Sequence, residues 1–584
     1  MDSTTVQRFT QAVGLLGVIS IAAGGCGGWG VAAQSVAGPN ARPPQAATED
    51  TQPGRTVAAE ALIESGHHPW LAWPEFPNSQ AVLRELYAAE ADGLFWFEDR
   101  QPVATLESAV AALAQADAYG LNASDYDAGA LADRYARLAP ATAPEEEVAE
   151  FDLAMSISAA RFLRAVHEGR IDPKTVGFQY DVSPQRLDVG RALRSARERG
   201  LETAVREASP AFPVYERLMG ALQRYRTIEA AGEPPAAPVL AGARKKIEPG
   251  AMWEGTAALA ERLRVFGDLP AAESAGGPEA AFYGAALVDA VRRFQARHAL
   301  EADGVIGAST IAALNVPLSR RVRQLELALE RERWLPDTRH RSVIVVSVPF
   351  FRLWGYDPKL PDEPLQMKVV VGKSAGHATP LFVEEMEYIV FSPFWNPPPS
   401  ILRNEIVPNA RRDPDYLAQQ NMELVAGAAD DVPPLAATAA NLDSVLKGEI
   451  FLRQRPGPKN SLGQAKFIFP NPDNVYMHGT PGKQLFARPR RDLSHGCIRV
   501  EDAPSLAVWI LREQPGWTRE RIAAAMTGGM PVQVNLKERL TVLTVYDTVY
   551  VDSTGVLHFA DDCYGHDARL EAALKKGYPY PRSS

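Results

Sequence analysis

At 584 residues the chain is too long for one hydrophobic core and reads as three or four domains. Its 46% hydrophobic and 23% charged content is that of ordinary globular protein, and a formal net charge of −10 argues against a nucleic-acid partner, which wants a basic surface. Three cysteines, Cys26, Cys497 and Cys563, exclude a disulfide scaffold. Residues 1–33 carry a positive start at Arg8 and an apolar run from Ala12 to Ala23, too short for the roughly 20 residues a bilayer span needs. Val31-Ala32-Ala33 offers a small-residue cleavage site, and Ala23-Gly24-Gly25-Cys26 offers lipid attachment. Export is expected, with cleavage and membrane anchoring both open. Residues 34–57 are rich in Pro, Ala and Gln and read as a flexible tether.

Residues 58–240 read as helical. Phe151, Met155, Phe162 and Val166 recur at helical spacing, Gly169 sits where the helix should end, and Asp172-Pro173 marks the stop. A Pro/Ala stretch from Glu233 to Leu240 forms a boundary. Over 246–318, Leu287, Val291 and Phe294 share one helix face and Asp303-Gly304 signals a turn. Residues 319–341 continue as a charged amphipathic helix, Arg320 to Trp334, which links this region to the next domain.

From 342 the period becomes that of strands: Val343 to Val346, Met367 to Val371 and Glu387 to Phe391. Prolines after Trp395 stop the ladder, which leaves Trp395 either at a site wall or capping the core. An Ala-rich, helix-like insertion over 411–450 interrupts the β pattern and suits a lid. Strands resume, and Ala503 to Arg512 reads as a helix before a β tail over 541–584 with Ser553-Thr554-Gly555 at a turn.

Tyr476-Met477-His478-Gly479-Thr480 and Ser494-His495-Gly496-Cys497-Ile498-Arg499-Val500 carry the chemistry. A free thiol is only a few per cent ionised at neutral pH, and a neighbouring imidazole is the usual means of activating it. His478 and Cys497 lie 19 positions apart (497 − 478), a spacing that lets two adjacent strands bring them to one sheet edge. Gly496 permits a sharp turn or close approach, and amide N–H groups beside it suit an oxyanion. Strand alternation puts Arg499 on the face of Cys497, where its guanidinium fits a substrate carboxylate or a structural ion pair. By the same alternation Tyr476 shares a face with His478 and either lines the site or serves the core. Three other readings stand beside this: zinc on His478, His495 and Cys497; a Cys497–Cys563 disulfide; and a metal at His558, Asp561, Asp562, Cys563 and His566.

The paired motif His478-Gly479-Thr480 and Ser494-His495-Gly496-Cys497-Ile498-Arg499 resembles the signature of the YkuD-type L,D-transpeptidases. Gly372-Lys373 and Thr379-Pro380 resemble the start of that catalytic domain. Phe162-Leu163 through Gly169-Arg170-Ile171-Asp172-Pro173 resembles the helical scaffold of the long, YcbB-type members. Phe294-Gln295 and Asp303-Gly304-Val305-Ile306-Gly307 resemble the three-helix peptidoglycan-binding domain of wall enzymes. The resemblance implies a multidomain α+β protein: a helical scaffold, a peptidoglycan-binding domain, and a mainly β catalytic domain over 342–540 with a capping insertion. It implies Cys497 as nucleophile, His478 as base and the Gly479 carbonyl as its orienter. His495 acts in catalysis or shapes the loop, and Tyr476, Gly496, Arg499 and Trp395 stand as substrate-binding candidates. The implied reaction releases D-alanine from a tetrapeptide stem and passes the acyl group to a second stem, a 3→3 cross-link. Acylation by a carbapenem is implied as well. Thiolate, imidazole and backbone dipoles suffice for this chemistry, so no metal or organic cofactor is expected. The resemblance also implies that Cys563 stands where an aliphatic residue usually precedes the Tyr-Gly pair, as a small buried hydrophobe. The rival readings are an L,D-carboxypeptidase and a non-catalytic peptidoglycan-binding protein.

Overall fold

The computed structural model describes residues 57–90, 92–240, 245–270, 281–361 and 364–580. The expected export signal, Cys26 and nearly all of the tether lie outside the described residues. Among those described, no helix is long and apolar enough to cross a membrane.

The N-terminal helices assemble around one 24-residue helix, Glu145–Glu168, which is buried on nearly every side. Small residues (Ala149, Ala154, Ala159, Ala160) alternate along it with Phe151, Met155, Phe162 and Leu163, so neighbouring helices approach closely on several faces. Three acidic residues in its first turn complement the helix dipole, and it ends at Gly169 as the sequence leads one to expect. Its buried carboxylate is fully paired. Asp152 accepts from the backbone N–H groups of Phe95 and Trp96 and from the Tyr87 hydroxyl, which locks the preceding loop to the helix.

Helices Thr256–Val265, Ala285–Arg297 and Ala308–Leu314 form a small separate core around Leu263, Leu287, Val291 and Phe294. The linking helix Leu318–Glu332 comes next and packs on Pro213–Ala231, its apolar side buried and several of its charged side chains paired at the joint. Glu330, with no exposure, accepts from the Arg170 and Ile171 backbone N–H groups and pairs with Arg170 and Arg333. Burial alone would raise this carboxyl. The two guanidinium groups and two backbone donors outweigh that and hold it below its ordinary value.

Nine strands of one sheet are numbered here in chain order: β1 Val343–Ser347, β2 Arg352–Tyr356, β3 Leu365–Gly372, β4 Val383–Phe391, β5 Ala465–Ile468, β6 Met477–His478, β7 Asp492–Ser494, β8 Ile498–Val500 and β9 Val532–Val545. Their order is β7-β3-β8-β6-β5-β4-β9-β1-β2, and β2 pairs again with β3, so the sheet closes on itself and leaves no long free edge. Its interior is the largest apolar cluster of this half, including Ile344, Val369, Ile389, Phe467, Met477 and Ile498, with Trp334 and Phe178 packed in from the linking helix and the scaffold. The α+β class and the mainly β catalytic portion are therefore as the sequence implied.

Two boundaries differ from expectation. The 14-residue β9 continues through Val545, past the expected break at 540, because its second half pairs in register with β1 (Thr541↔Val343 to Val545↔Ser347). The capping insertion starts earlier than 411, at Pro399, and holds a small antiparallel sheet of Met422–Val425, Pro434–Leu435 and Phe451–Gln454 besides its helices. Four-residue strands inside Ala-rich sequence leave too little alternation to read. The tail hairpin forms as expected, Val549–Val551 against Leu557–Phe559.

Candidate active site

Register fixes which side chains meet. β6 runs parallel to β8 with Met477 opposite Ile498 and His478 opposite Arg499, and antiparallel to β5 with His478 opposite Lys466. Met477, Ile498, Val500, Ala465 and Phe467 are fully buried in the sheet interior, so alternation turns Lys466, Tyr476, His478, Cys497 and Arg499 to the opposite face. Cys497 stands immediately before β8, alongside Tyr476 and diagonal to His478. The Tyr476 and His478 rings are 5.8 Å apart, and Lys466 Nζ lies 4.3 Å from the Tyr476 ring centre. Tyr476 flanks the Cys497 sulfur, and its backbone and hydroxyl donors favour the thiolate.

The imidazole is set for one proton position. His478 Nδ1–H donates to the Gly479 carbonyl at 2.5 Å, which leaves Nε2 with its lone pair. Burial, then the Arg499 charge, then Lys466 push its pKa down to about 3, against the Gly479 carbonyl, so it is neutral across the physiological range. Burial raises the Cys497 thiol above its ordinary value, opposed by the Tyr476 donors, Lys466 and Arg499. The resting pair is thus a neutral thiol beside a neutral base, with two cations ready to stabilise the thiolate once the proton leaves. Alkylation of Cys497 by iodoacetamide is accordingly expected to accelerate with pH up to and beyond 9, the thiolate fraction growing as pH rises towards the raised pKa. A plateau reached by pH 6 would reveal a preformed thiolate–imidazolium pair instead.

His495 is exposed and turned to the cap. Its Nε2 is 3.4 Å from Glu405 Oε1, and its ring meets His377 edge-on at 4.7 Å. Glu405 sits in a π-helical turn, Leu402–Ile406, at the base of the cap, a geometry that often marks functional segments. Trp395 stands just before the cap and docks on it: its N–H donates to the Gln454 carbonyl, its carbonyl accepts from Gln454 N–H, and its ring packs on the cap's apolar cluster. Gly496 has φ 115°, a backbone state that other residues rarely hold. Arg499 Nε has no hydrogen-bond partner among the described residues although it is buried, which leaves a donor aimed along the site face.

Both described cysteines are free thiols, which overturns the disulfide alternative. Among the described residues no group of three or more His, Cys, Asp or Glu is placed to hold a metal ion. The tail residues that invited a metal reading are engaged elsewhere: His558 with Asp552 at 2.8 Å, Asp562 with the Tyr546 hydroxyl, and His566 against Phe178. Sequence reasoning missed Lys466 and Glu405. Lys466 reaches the site only through strand register, and Glu405 only through the folding back of the cap.

Three segments match known domains: residues 81–222 a "Scaffold domain", 254–314 a "Putative peptidoglycan binding domain", and 341–547 an "L,D-transpeptidase catalytic domain". Two of these are models of domains that act on peptidoglycan, which is consistent with an extracytoplasmic protein. The 341–547 segment thus carries the match to the YkuD L,D-transpeptidase catalytic domain, and the 254–314 segment the match to a peptidoglycan-binding domain. A relative named "Putative L,D-transpeptidase", from Haemophilus influenzae, is 28% identical over 251 residues, which is 43% of this chain and 49% of that protein, so the match spans about half of the relative's length. The crystal structure of an L,D-transpeptidase (residues 123–326) from Xylanimonas cellulosilytica matches 52% of this chain and 100% of its own at 16% identity, with a TM-score of 0.16.

Proposed function

We propose that the protein forms 3→3 cross-links in peptidoglycan through a thioester on Cys497. The observation that carries this is the shared sheet face of Cys497 and His478, with Nδ1 of the base committed to Gly479 and Nε2 left to take a proton. Nε2 accepts the thiol proton as the sulfur attacks the carbonyl carbon of the third stem residue. The tetrahedral oxyanion collapses, the amine of D-alanine leaves with the proton from His478, and the thioester remains. An amine on a second stem then attacks the thioester carbonyl and gives its proton to His478. The sulfur departs and is reprotonated.

Arg499 and Lys466 stabilise negative charge on the sulfur and can meet stem carboxylates on the same face. A groove of about 420 Å3 lined by Gly463, Gln464, Gly479, Thr480 and Lys483 is of a size to seat part of a peptide stem. The neighbouring peptidoglycan-binding domain supports a polymer substrate outside the cytoplasm, and export to the periplasm is part of the same proposal.

Water competes with the acceptor amine for the thioester, so the balance between cross-linking and L,D-carboxypeptidase activity rests on how well the cap excludes it. The exposed Glu405–His495 contact ties cap to cysteine loop, and such a pair is worth only about 0.2–1 kcal/mol. Glu405→Gln is therefore expected to raise the ratio of tripeptide to dimer by no more than about fivefold, measured by chromatography of muropeptide products. Incubation of the protein with tetrapeptide-bearing muropeptides tests the whole reading: dimer and free D-alanine in equal amounts are expected. Tripeptide monomer without dimer would show the hydrolase instead.

A further inference from the structure

The peptide plane between Gly496 and Cys497 is held by residues far away in sequence. Thr379, in the loop between β3 and β4, donates its Oγ1–H to the Gly496 carbonyl at 2.7 Å and accepts from Gly372 N–H at 2.9 Å. Tyr564, from the C-terminal segment, brackets the same two residues: its hydroxyl donates to the Gly372 carbonyl and accepts from Thr379 N–H at 3.2 Å. All these groups are buried. Tyr564 is itself seated, its N–H donating to the Tyr546 hydroxyl at 2.6 Å. The packing leaves no slack: a Cβ added to Gly372 would come within 1.8 Å of the His377 carbonyl oxygen and 3.0 Å of Gly496 Cα.

A trans peptide is planar, so its carbonyl and N–H point in opposite directions. Fixing the Gly496 carbonyl on Thr379 therefore fixes the direction of the Cys497 N–H. That N–H donates to no protein acceptor among the described residues. On the other side of the residue, Ser494 Oγ–H donates to the Cys497 carbonyl at 2.6 Å and accepts from Gly496 N–H, so the neighbouring peptide groups are tethered too. A donor that is free, beside the nucleophile and unable to rotate is what a developing oxyanion needs, since its orientation is settled before the reaction begins.

We infer that Thr379, seated by Tyr564, is a positioning residue that locks the Gly496–Cys497 peptide so that the Cys497 N–H faces the oxyanion formed on acylation. This rests on the acyl-transfer reading above, and it adds a role for the C-terminal segment, which reaches the reacting group through one hydroxyl. Acylation needs the oxyanion donor, whereas alkylation of the same sulfur by iodoacetamide does not. The two rates therefore separate a misaimed N–H from a displaced thiol.

The test compares the full-length wild type with Thr379→Val, Thr379→Ser and Tyr564→Phe. Each is assayed for carbapenem acylation by stopped mass spectrometry and for iodoacetamide alkylation. Thr379→Val, close in shape but without the hydroxyl, is expected to acylate about 10- to 100-fold more slowly, with alkylation within about twofold of wild type. Thr379→Ser is expected to restore acylation to within about threefold, and Tyr564→Phe to fall in between. Equal acylation in Thr379→Val and wild type, a parallel loss of alkylation, or no rescue by serine would overturn the inference. Should the valine variant fail to fold, the serine and phenylalanine variants decide it: both rates of Tyr564→Phe unchanged, or both reduced together, refutes the proposal. Wild type that resists acylation but still alkylates at Cys497 removes the acyl-transfer reading and this inference with it, a pattern distinct from any of the others.

Discussion

Cys497→Ala is expected to lose acyl transfer by on the order of 10,000-fold or more, leaving only the background of a bound stem in water. The size comes from the arrangement: among the described residues the sulfur is the only thiol on a face otherwise made of Lys466, Tyr476, His478 and Arg499. The loss should leave stability nearly intact, because the residue is half-buried and its backbone carbonyl, not its side chain, carries the tie to Ser494. His478→Ala should cost somewhat less, since Lys466, Arg499 and the Tyr476 donors still favour the thiolate and high pH can supply it without a base. Adding His478→Ala to Cys497→Ala should cost almost nothing further, because residues acting as one unit are grossly non-additive. Rates on a tetrapeptide donor, with thermal melting run in parallel, check all three statements. A Cys497→Ala protein that still releases D-alanine at a tenth of the wild-type rate would contradict them.

Glu330→Ala is expected to destabilise the joint between scaffold and catalytic sheet by about 3–5 kcal/mol. The carboxylate is fully enclosed and satisfies four donors at once: two backbone N–H groups and the guanidinium groups of Arg170 and Arg333. Its removal leaves two buried cations without a counter-charge, which is the costly way to break such a network. Arg333 keeps partial compensation from the Tyr215 hydroxyl and the Tyr119 carbonyl, so the cost falls mainly on Arg170 and the chain after Gly169. Urea unfolding tracked by tryptophan fluorescence measures it, since Trp334 is buried beside this joint. A change below 1 kcal/mol would mean that the network only sets geometry.

Much of this molecule can be read from residues alone, and the limits are physical. The long scaffold helix declares itself through Phe151, Met155, Phe162 and Gly169, because a buried helix needs both the apolar period and a stop. His478, Cys497 and Gly496 are legible because thiol chemistry restricts which residue types can stand together. Tyr476 and Arg499 come from strand alternation. Lys466 does not, because placing it opposite His478 requires knowing that β5 and β6 are antiparallel neighbours in a particular register. Thr379 and Tyr564 touch across 185 positions, a distance over which no local periodicity carries information. His495 and Trp395 show the remaining gap. Their side chains meet the cap, whose position over the sheet is a tertiary outcome of the turn after the Trp395 prolines.

The central claim is that one sulfur, Cys497, is the acyl carrier. Intact mass of the full-length protein after incubation with a carbapenem, combined with peptide mapping, tests it most directly. A single covalent addition on the peptide containing Cys497, absent from Cys497→Ala and unchanged in Cys563→Ala, is the expected result. No adduct, or one that maps to Cys563, would contradict it.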